Sequence, residues 1–327
     1  MAKKGRILSG MRPSGKLHIG HLFGALSNWQ KLQDEYDCFY MVADLHALTS
    51  EYADTSEMRK SAVEMVADWI ACGIDPKKSV IFRQSKVCRH SELHLIFSMI
   101  TPLSWLYRVS TYKEQLKEVK GRDLHTFGFL GYPVLQAADI ALYKANAVPV
   151  GEDQLPHLEL TREIVRRFNG FYGEVFPEPK SILTADPRIP GIDGRKMSKS
   201  YGNAIFLSDT PEEIQKKAMA MFTDPLKIRA TDAGHPDGCA VFAFHKLFSE
   251  DYAETERLCK ESKKGCVDDK KILAERLSNA LEPIRKKRTE ALKDKSCLEK
   301  ILEEGEIRAN EFAEKTMAEV MKAVKLA

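Results

Sequence analysis

The sequence predicts an α/β protein, a parallel sheet covered on both faces by helices and followed by an all-helical domain. Three observations carry this. In the first half, short apolar runs rich in strand formers alternate with stretches of helical periodicity, the pattern of parallel strands joined by crossovers. From about Thr210 the texture changes to charged amphipathic helix. The chain has 327 residues, enough for two domains. The expected division is 1–206 and 207–327.

RILSG near the start, CFYMVADLHAL at 38–48 and SVIFRQS at 79–85 read as buried parallel strands. Between the first two, Leu22, Ala25, Leu26, Trp29 and Leu32 recur at helical spacing. Val63, Val66, Ala67 and Ile70 do the same in a helix ending at Gly73. TFGFLGYPVLQAADIALYKA is a longer apolar helix, AVPVGEDQ a short strand running into a polar turn, and LPHLELTREIVRRFNGFYG a helix closed by Asn169 and Gly170. The tail offers PEEIQKKAMAMF, KILAERLSNALEPIRKKRTEALKD and RANEFAEKTMAEVMKAVKL as further helices, with no internal repeat.

Lys plus Arg total 50 against 47 Asp plus Glu, a net charge of +3. That balance excludes a strong global pull towards polyanions, so any such partner must be met by a local patch. MAKKGRILSG has no apolar run of signal length after its basic start, and no later segment approaches a membrane span. The expectation is a soluble, cytoplasmic protein without membrane partners. Seven cysteines, scattered and odd in number, read as reduced thiols.

The first strand runs into SGMRPSGKLHIGHLFGAL, where Gly10, Gly15, Gly20 and Gly24 and two histidines crowd a turn that opens a helix. Amides at a helix amino terminus attract anions, and glycine lets a phosphate approach the backbone. The dinucleotide fingerprint G-x-G-x-x-G is absent. His18 and His21 instead stand three apart on one helical turn, where both can point at a single phosphoryl group. About 175 residues later comes KMSKS, with Lys196 and Lys199 as ammonium donors, Ser198 and Ser200 as hydroxyl donors, and Gly191, Gly194 and Gly202 around them. Either motif alone has a plain reading, as a glycine-rich turn or as a solvated loop.

Together, HIGH at 18–21 and KMSKS at 196–200 resemble the paired signatures of the class I aminoacyl-tRNA synthetases. The resemblance implies a Rossmann-type catalytic domain, ATP with Mg2+ as substrate, and a helical domain that reads a tRNA anticodon. His18, His21, Lys196 and Lys199 become the implied catalytic groups, with the loop gripping the pyrophosphate end of ATP. Residues 131–169, GYPVLQAADIALYKANAVPVGEDQLPHLELTREIVRRFN, look like the tryptophanyl-tRNA synthetases. On that likeness the ATP contacts are Arg12, Pro13, Ser14, Gly20, His21, Gly151, Glu152, Asp153, Ile189, Lys196, Met197, Ser198, Lys199 and Ser200. Tryptophan would be held by Asp139, Gln136, Tyr132, His46 and Gln154. A carboxylate at Asp139 suits an indole N–H, since it can only accept.

Gln136 departs from the methionine common in tryptophan enzymes. Gln136 and Asp139, at i and i+3, could clasp a phenol as well as an indole, which makes tyrosine the second candidate substrate. GEDQ and LTREIVRRFN favour tryptophan. PIRKKRTEALKDK, otherwise a solvated helix face, becomes a candidate to track tRNA phosphates. Some members carry four cysteines that hold an iron–sulfur cluster, the last pair being C-x-x-C. Here Cys239, Cys259 and Cys266 are followed by Asp269 at the fourth position, which favours three reduced thiols over a bound cluster. A homodimer is expected by the same resemblance. A tryptophan- or tRNA-sensing relative without catalysis is the competing class, disfavoured by the intact motifs.

Overall fold

The computed structural model describes residues 3–109, 112, 123–183, 189–199, 201–229 and 231–327. In chain order the first elements are β1 (Arg6–Met11), α1 (Ile19–His21), a π turn (Leu22–Leu26), α2 (Ser27–Glu35), β2 (Asp37–Val42), α3 (Asp44–Glu51), α4 (Met58–Ala71) and β3 (Ser79–Arg83). There follow α5 (Arg89–Ile100), α6 (Leu103–Arg108), α7 (Phe127–Leu142), β4 (Ala147–Val150), α8 (Leu155–Tyr172) and β5 (Lys180–Leu183). The remainder is helical: α9 (Pro211–Met219), α10 (Ala240–Phe248), α11 (Tyr252–Lys260), α12 (Cys266–Lys293) and α13 (Lys295–Ala323). None of the described helices is long and apolar enough to cross a membrane.

Two compact units emerge, one of Met1–Gly15, Ala25–Ala185 and Ala291–Ala327, the other of Lys16–Gly24 and Asp186–Glu290. They divide the chain differently from the 1–206 and 207–327 expected from texture. Amphipathic helices look alike in sequence whichever core they cover, so α13 could not be assigned to the sheet by its periodicity.

The first unit is built on five parallel strands in the order β3-β2-β1-β4-β5. Successive β2 side chains point to opposite faces. Phe39 and Met41 enter one core with Phe82, Phe97 and Phe168. On the opposite pleat Tyr40 stacks on Trp29, ring centroids 4.4 Å apart, and Trp69 meets Trp29 edge-on at 5.2 Å. Both faces are therefore covered, as the alternation of strands and helices requires.

The edge strand β3 is guarded by α13. A Cβ on Gly305 would lie 1.8 Å from the Ile81 carbonyl oxygen, so only glycine lets the helix lie this close to the strand. Arg83, at the end of β3, then pairs with Glu306 at 2.5 Å and Glu299 at 2.8 Å.

Local boundaries differ from the sequence reading in two places. The strand of CFYMVADLHAL stops at Val42 and DLHALTSE turns helical, because Asp44 accepts the Leu45 and Ser85 amides and ties the two strand ends together. Helix α8 closes at Gly173, whose φ is +91°, rather than at Asn169 and Gly170. Asn169 instead holds the returning chain, accepting from the Val175 and Phe176 amides and donating to the Phe176 carbonyl.

The second unit buries Leu273, Ala274, Leu277 and Leu281 of α12 with Phe242 and Phe244 of α10 and Ile214 and Ala218 of α9. Helix α9 begins at a capping box in which Thr210 Oγ1 accepts the Glu213 amide and Glu213 accepts the Thr210 amide, with Pro211 in the first turn.

Candidate active site

In the second unit the two sequence motifs are joined through the backbone. The Ile19 amide donates to the Ile205 carbonyl at 3.0 Å, the Leu207 amide to the Leu17 carbonyl at 2.9 Å, and His18 forms an antiparallel bridge with Phe206. Residues 17–19 and 205–207 flank HIGH and follow KMSKS, so this pairing brings the motifs together. Asp209, buried, anchors the second segment by accepting from the Phe206 amide at 2.7 Å and from Lys217 at 2.6 Å.

His18 precedes the first helical turn in an extended conformation, and its ring lies 3.9 Å from that of His21. A Cβ on Gly20 would come within 2.8 Å of the His18 ring, which explains glycine between the histidines. His21 Nδ1 accepts the His18 backbone N–H at 3.1 Å, so the proton of the neutral ring sits on Nε2, a donor. Burial, with the positive charge of Lys199, pushes His18 down to about 4. His21 is likewise held well below the usual range by burial, by His18 and by Lys199. Both imidazoles are neutral at pH 7, and Lys199 is close enough to act on both.

The KMSKS loop is organised by Asn203, which sequence reading missed. Its Oδ1 accepts the Ser198 amide at 2.8 Å, and its Nδ2 donates to Asp193 at 2.8 Å and to the Lys196 carbonyl at 3.1 Å. Its own carbonyl accepts from the Ile192 amide at 2.9 Å. Gly191 is forced by the same residue, since a Cβ there would sit 2.2 Å from Asn203 Nδ2. Gly194 and Gly202 have φ of +81° and +65°, the left-handed region where glycine is favoured. Met197 is buried, Lys196 is exposed and Lys199 half-buried. Ile189 accepts the Met197 amide and lines an apolar groove with Pro190, Phe242 and Leu247. Ser200 lies outside the described residues.

In the first unit, strand order reverses at β1, whose neighbours are β2 and β4. Nucleotides bind open parallel sheets at the carboxyl ends beside such a switch point. Arg12, Pro13 and Ser14 leave β1 there, and Gly151, Glu152 and Asp153 leave β4. β1 and β4 pair at Ile7↔Ala147, towards their amino ends. A Cβ on Gly151 would meet Asp153 at 2.7 Å, and Gln154 returns its amide to the Gly151 carbonyl at 3.0 Å, which makes GEDQ a tight turn.

Asp139 is 1% exposed and is gripped by three side chains. Oδ1 accepts from Gln84 Nε2 at 2.8 Å and contacts His90 Nδ1 at 2.6 Å, and Oδ2 contacts His46 Nε2 at 2.7 Å. Burial alone would raise its pKa, but the bonds from His46 and His90 outweigh it and hold the carboxyl well below the usual range. Tyr132 lies beside His46, ring centroids 6.5 Å apart, and its hydroxyl meets His157 Nε2 at 3.1 Å. Gln136 stands partly exposed one turn before Asp139. Gln84 and His90 carried no sequence signal, being single polar residues in apolar surroundings.

Cys239, Cys259 and Cys266 line one pocket in the second unit with Lys227, Lys264 and Asp269. Asp269 is ion-paired with Lys264 at 2.7 Å and lies 3.2 Å from His245 Nε2. Burial raises the Cys239 and Cys259 thiols. Among the described residues no group of three or more His, Cys, Asp or Glu is placed to hold a metal ion.

The chain matches the family model described as tRNA synthetases class I (W and Y) over residues 2–284. It is 52% identical to the tryptophan–tRNA ligase of Thermotoga maritima, covering 98% of this chain and 99% of that one. It is 47% identical to the tryptophan–tRNA ligase of Aquifex aeolicus, covering 98% and 100%. Among solved structures it is similar to tryptophanyl-tRNA synthetase from Campylobacter jejuni complexed with ADP and tryptophan, at 33% identity and a TM-score of 0.88, with 98% and 99% covered. These full-length likenesses decide between the two substrates that Gln136 left open, in favour of tryptophan. The chain belongs to the class I tRNA synthetases and, within them, to the tryptophan–tRNA ligases, which activate tryptophan with ATP and transfer it to tRNA(Trp).

Proposed function

We propose that neutral imidazoles and charged lysines divide the work of adenylate formation. A carboxylate oxygen of tryptophan attacks the α-phosphorus of ATP, the bond to the bridging oxygen breaks, and pyrophosphate leaves. The 2′- or 3′-hydroxyl of the terminal adenosine of tRNA then attacks the carbonyl carbon and AMP departs. No protein nucleophile takes part. The protein supplies positioning and electrostatic stabilisation.

His21, with its proton on Nε2, donates a hydrogen bond to the α-phosphate, and His18 orients it. Lys196 and Lys199, with Met197, Ser198 and Ser200 in the same loop, hold the departing pyrophosphate, and Mg2+ accompanies ATP as part of the substrate. The observation that carries this reading is the backbone pairing of Leu17 and Ile19 with Leu207 and Ile205, which sets HIGH beside the segment that follows KMSKS, with Lys199 near enough to add to the effect of burial on both histidines. Arg12, Pro13, Ser14, Gly20, Gly151, Glu152, Asp153 and Ile189 complete the nucleotide contacts. Asp139 accepts the indole N–H. Its Oδ1 already has two donors and Oδ2 one, which leaves one acceptor position on Oδ2. Gln136, Tyr132, His46 and Gln154 surround the amino acid.

Residues 207–290 bind tRNA through basic helix faces such as Arg285 to Arg288, while α13 serves the sheet. The chain acts in the cytoplasm as a homodimer. Exposed apolar side chains support that assembly, with Leu95 and Met99 on α5, Leu103 and Tyr107 on α6, and Phe127 at the start of α7. It works without an iron–sulfur cluster, because Asp269 is committed to Lys264 where a fourth thiolate would be needed.

Amino-acid-dependent ATP–pyrophosphate exchange tests the assignment. Exchange is expected with tryptophan and not with tyrosine. Lys199→Ala should slow adenylate formation at least 100-fold, roughly the loss of one transition-state donor, with tryptophan affinity unchanged. Equal losses in both would refute the role of the loop lysine.

A further inference from the structure

Resting on the reading of Asp139 as the indole acceptor, we propose that His90 and Tyr143 are positioning residues for tryptophan that act through that carboxylate. His90 is completely buried, on α5, and Tyr143 lies four residues after Asp139 at the end of α7. Its ring joins the two, with Nε2 2.9 Å from the Tyr143 hydroxyl and Nδ1 2.6 Å from Asp139 Oδ1. Phe82 lies near the imidazole with its ring 24° from parallel, centroids 6.1 Å apart.

Proton placement follows from the partners. Asp139 is ionised and can only accept, so His90 Nδ1 carries a proton and donates to it. Nε2 shares a hydrogen bond with the Tyr143 hydroxyl, which burial keeps protonated. Gln84 is oriented in the same way, since its Oε1 accepts the His46 amide at 3.3 Å and its Nε2 therefore faces Asp139. Both lone pairs of Oδ1 are thus filled by protein donors, and the carboxylate cannot rotate without losing them. The remaining acceptor position on Oδ2 is aimed by default. Removing the Tyr143 hydroxyl takes away the bond that holds the far edge of the His90 ring, so the ring can swing and its donor to Oδ1 loses its aim.

The test is ATP–pyrophosphate exchange with tryptophan and with 3-benzothienylalanine, which has the same ring shape with sulfur in place of N–H. Wild type, Tyr143→Phe, His90→Leu and His90→Asn are compared. A hydrogen bond to a charged acceptor corresponds to roughly 10- to 100-fold, so the wild type should prefer tryptophan by that factor in kcat/KM. Tyr143→Phe and His90→Leu should raise the KM for tryptophan by roughly 10-fold. The KM for ATP and the kinetics of the thienyl analogue should stay unchanged. His90→Asn, whose amide nitrogen can replace Nδ1 as donor, should recover most of the preference. If Tyr143→Phe, shown to be folded by its thermal transition, keeps the full preference, or if His90→Asn does no better than His90→Leu, the positioning role is overturned. A wild type that does not prefer tryptophan would instead overturn the Asp139 reading on which it rests.

Discussion

Asn203 is the buried residue on which the KMSKS loop depends, and its replacement by Ala isolates the contribution of loop order. Asn203→Ala removes three side-chain bonds, to the Ser198 amide, the Lys196 carbonyl and Asp193. At about 1 kcal/mol net for each neutral bond and somewhat more for the one to Asp193, the ordered loop loses about 3 kcal/mol. The loss falls on a loop rather than on a core, so it should appear as a fall in the ordered population, by up to about 100-fold. The expected result is a comparable fall in kcat/KM for ATP in tryptophan-dependent pyrophosphate exchange. Tryptophan affinity, measured by fluorescence titration, should not change, because the Asp139 cluster shares no residue with the loop. Asn203→Asp sharpens the test. It keeps an acceptor for the Ser198 amide but sets a carboxylate against Asp193 and the Lys196 carbonyl, and should be at least as damaging. An Asn203→Ala protein within twofold of wild type would refute the assignment of loop order to this residue, and so would an equal loss of tryptophan affinity.

Gly305→Ala should destabilise the protein by about 3 kcal/mol, because the new methyl meets the Ile81 backbone, which cannot rotate away. A thermal melt should show a drop of roughly 4 °C, and an unchanged transition would mean that α13 is not seated on β3 as described. Stability should also fall on acidification between about pH 6.5 and 4. His18 titrates at about 4 in the folded chain, below the 6.5 of an unperturbed histidine, so the unfolded chain takes up the proton first. The stability of the neutral ring is complete above pH 6.5 and is lost as pH falls through that window, at most about 3 kcal/mol. His157, pushed to about 4 chiefly by burial, acts in the same direction. Urea midpoints that do not move between pH 7 and 5, or that fall equally in a His18→Gln protein, would contradict this.

Much of the architecture was legible because period and composition are local. The strands at 6–11 and 79–83, the apolar helix around Asp139 and the helical tail are written in residue spacing. The two signature motifs are legible for another reason, since phosphate chemistry demands particular donors at fixed spacing. Boundaries set by single side chains were not legible. Asp44 ended a strand that composition would have prolonged, and Asn169 moved a helix end to Gly173. Nor were the partners of Asp139, because His90 and Gln84 reach it across 49 and 55 residues of sequence.

The sequence by itself therefore determined the chemistry this protein can offer to a substrate, namely two histidines, two loop lysines and a carboxylate on an apolar helix. Those identities are intrinsic to residue type and to neighbours a few positions away. Only the tertiary structure decided their protonation and aim. Burial beside Lys199 makes the histidines neutral donors, Asn203 shapes the lysine loop, and three donors from separate segments fix the Asp139 carboxylate. Desolvation and long-range hydrogen bonding depend on which distant segments come to surround a group, and that is a property of the packed chain.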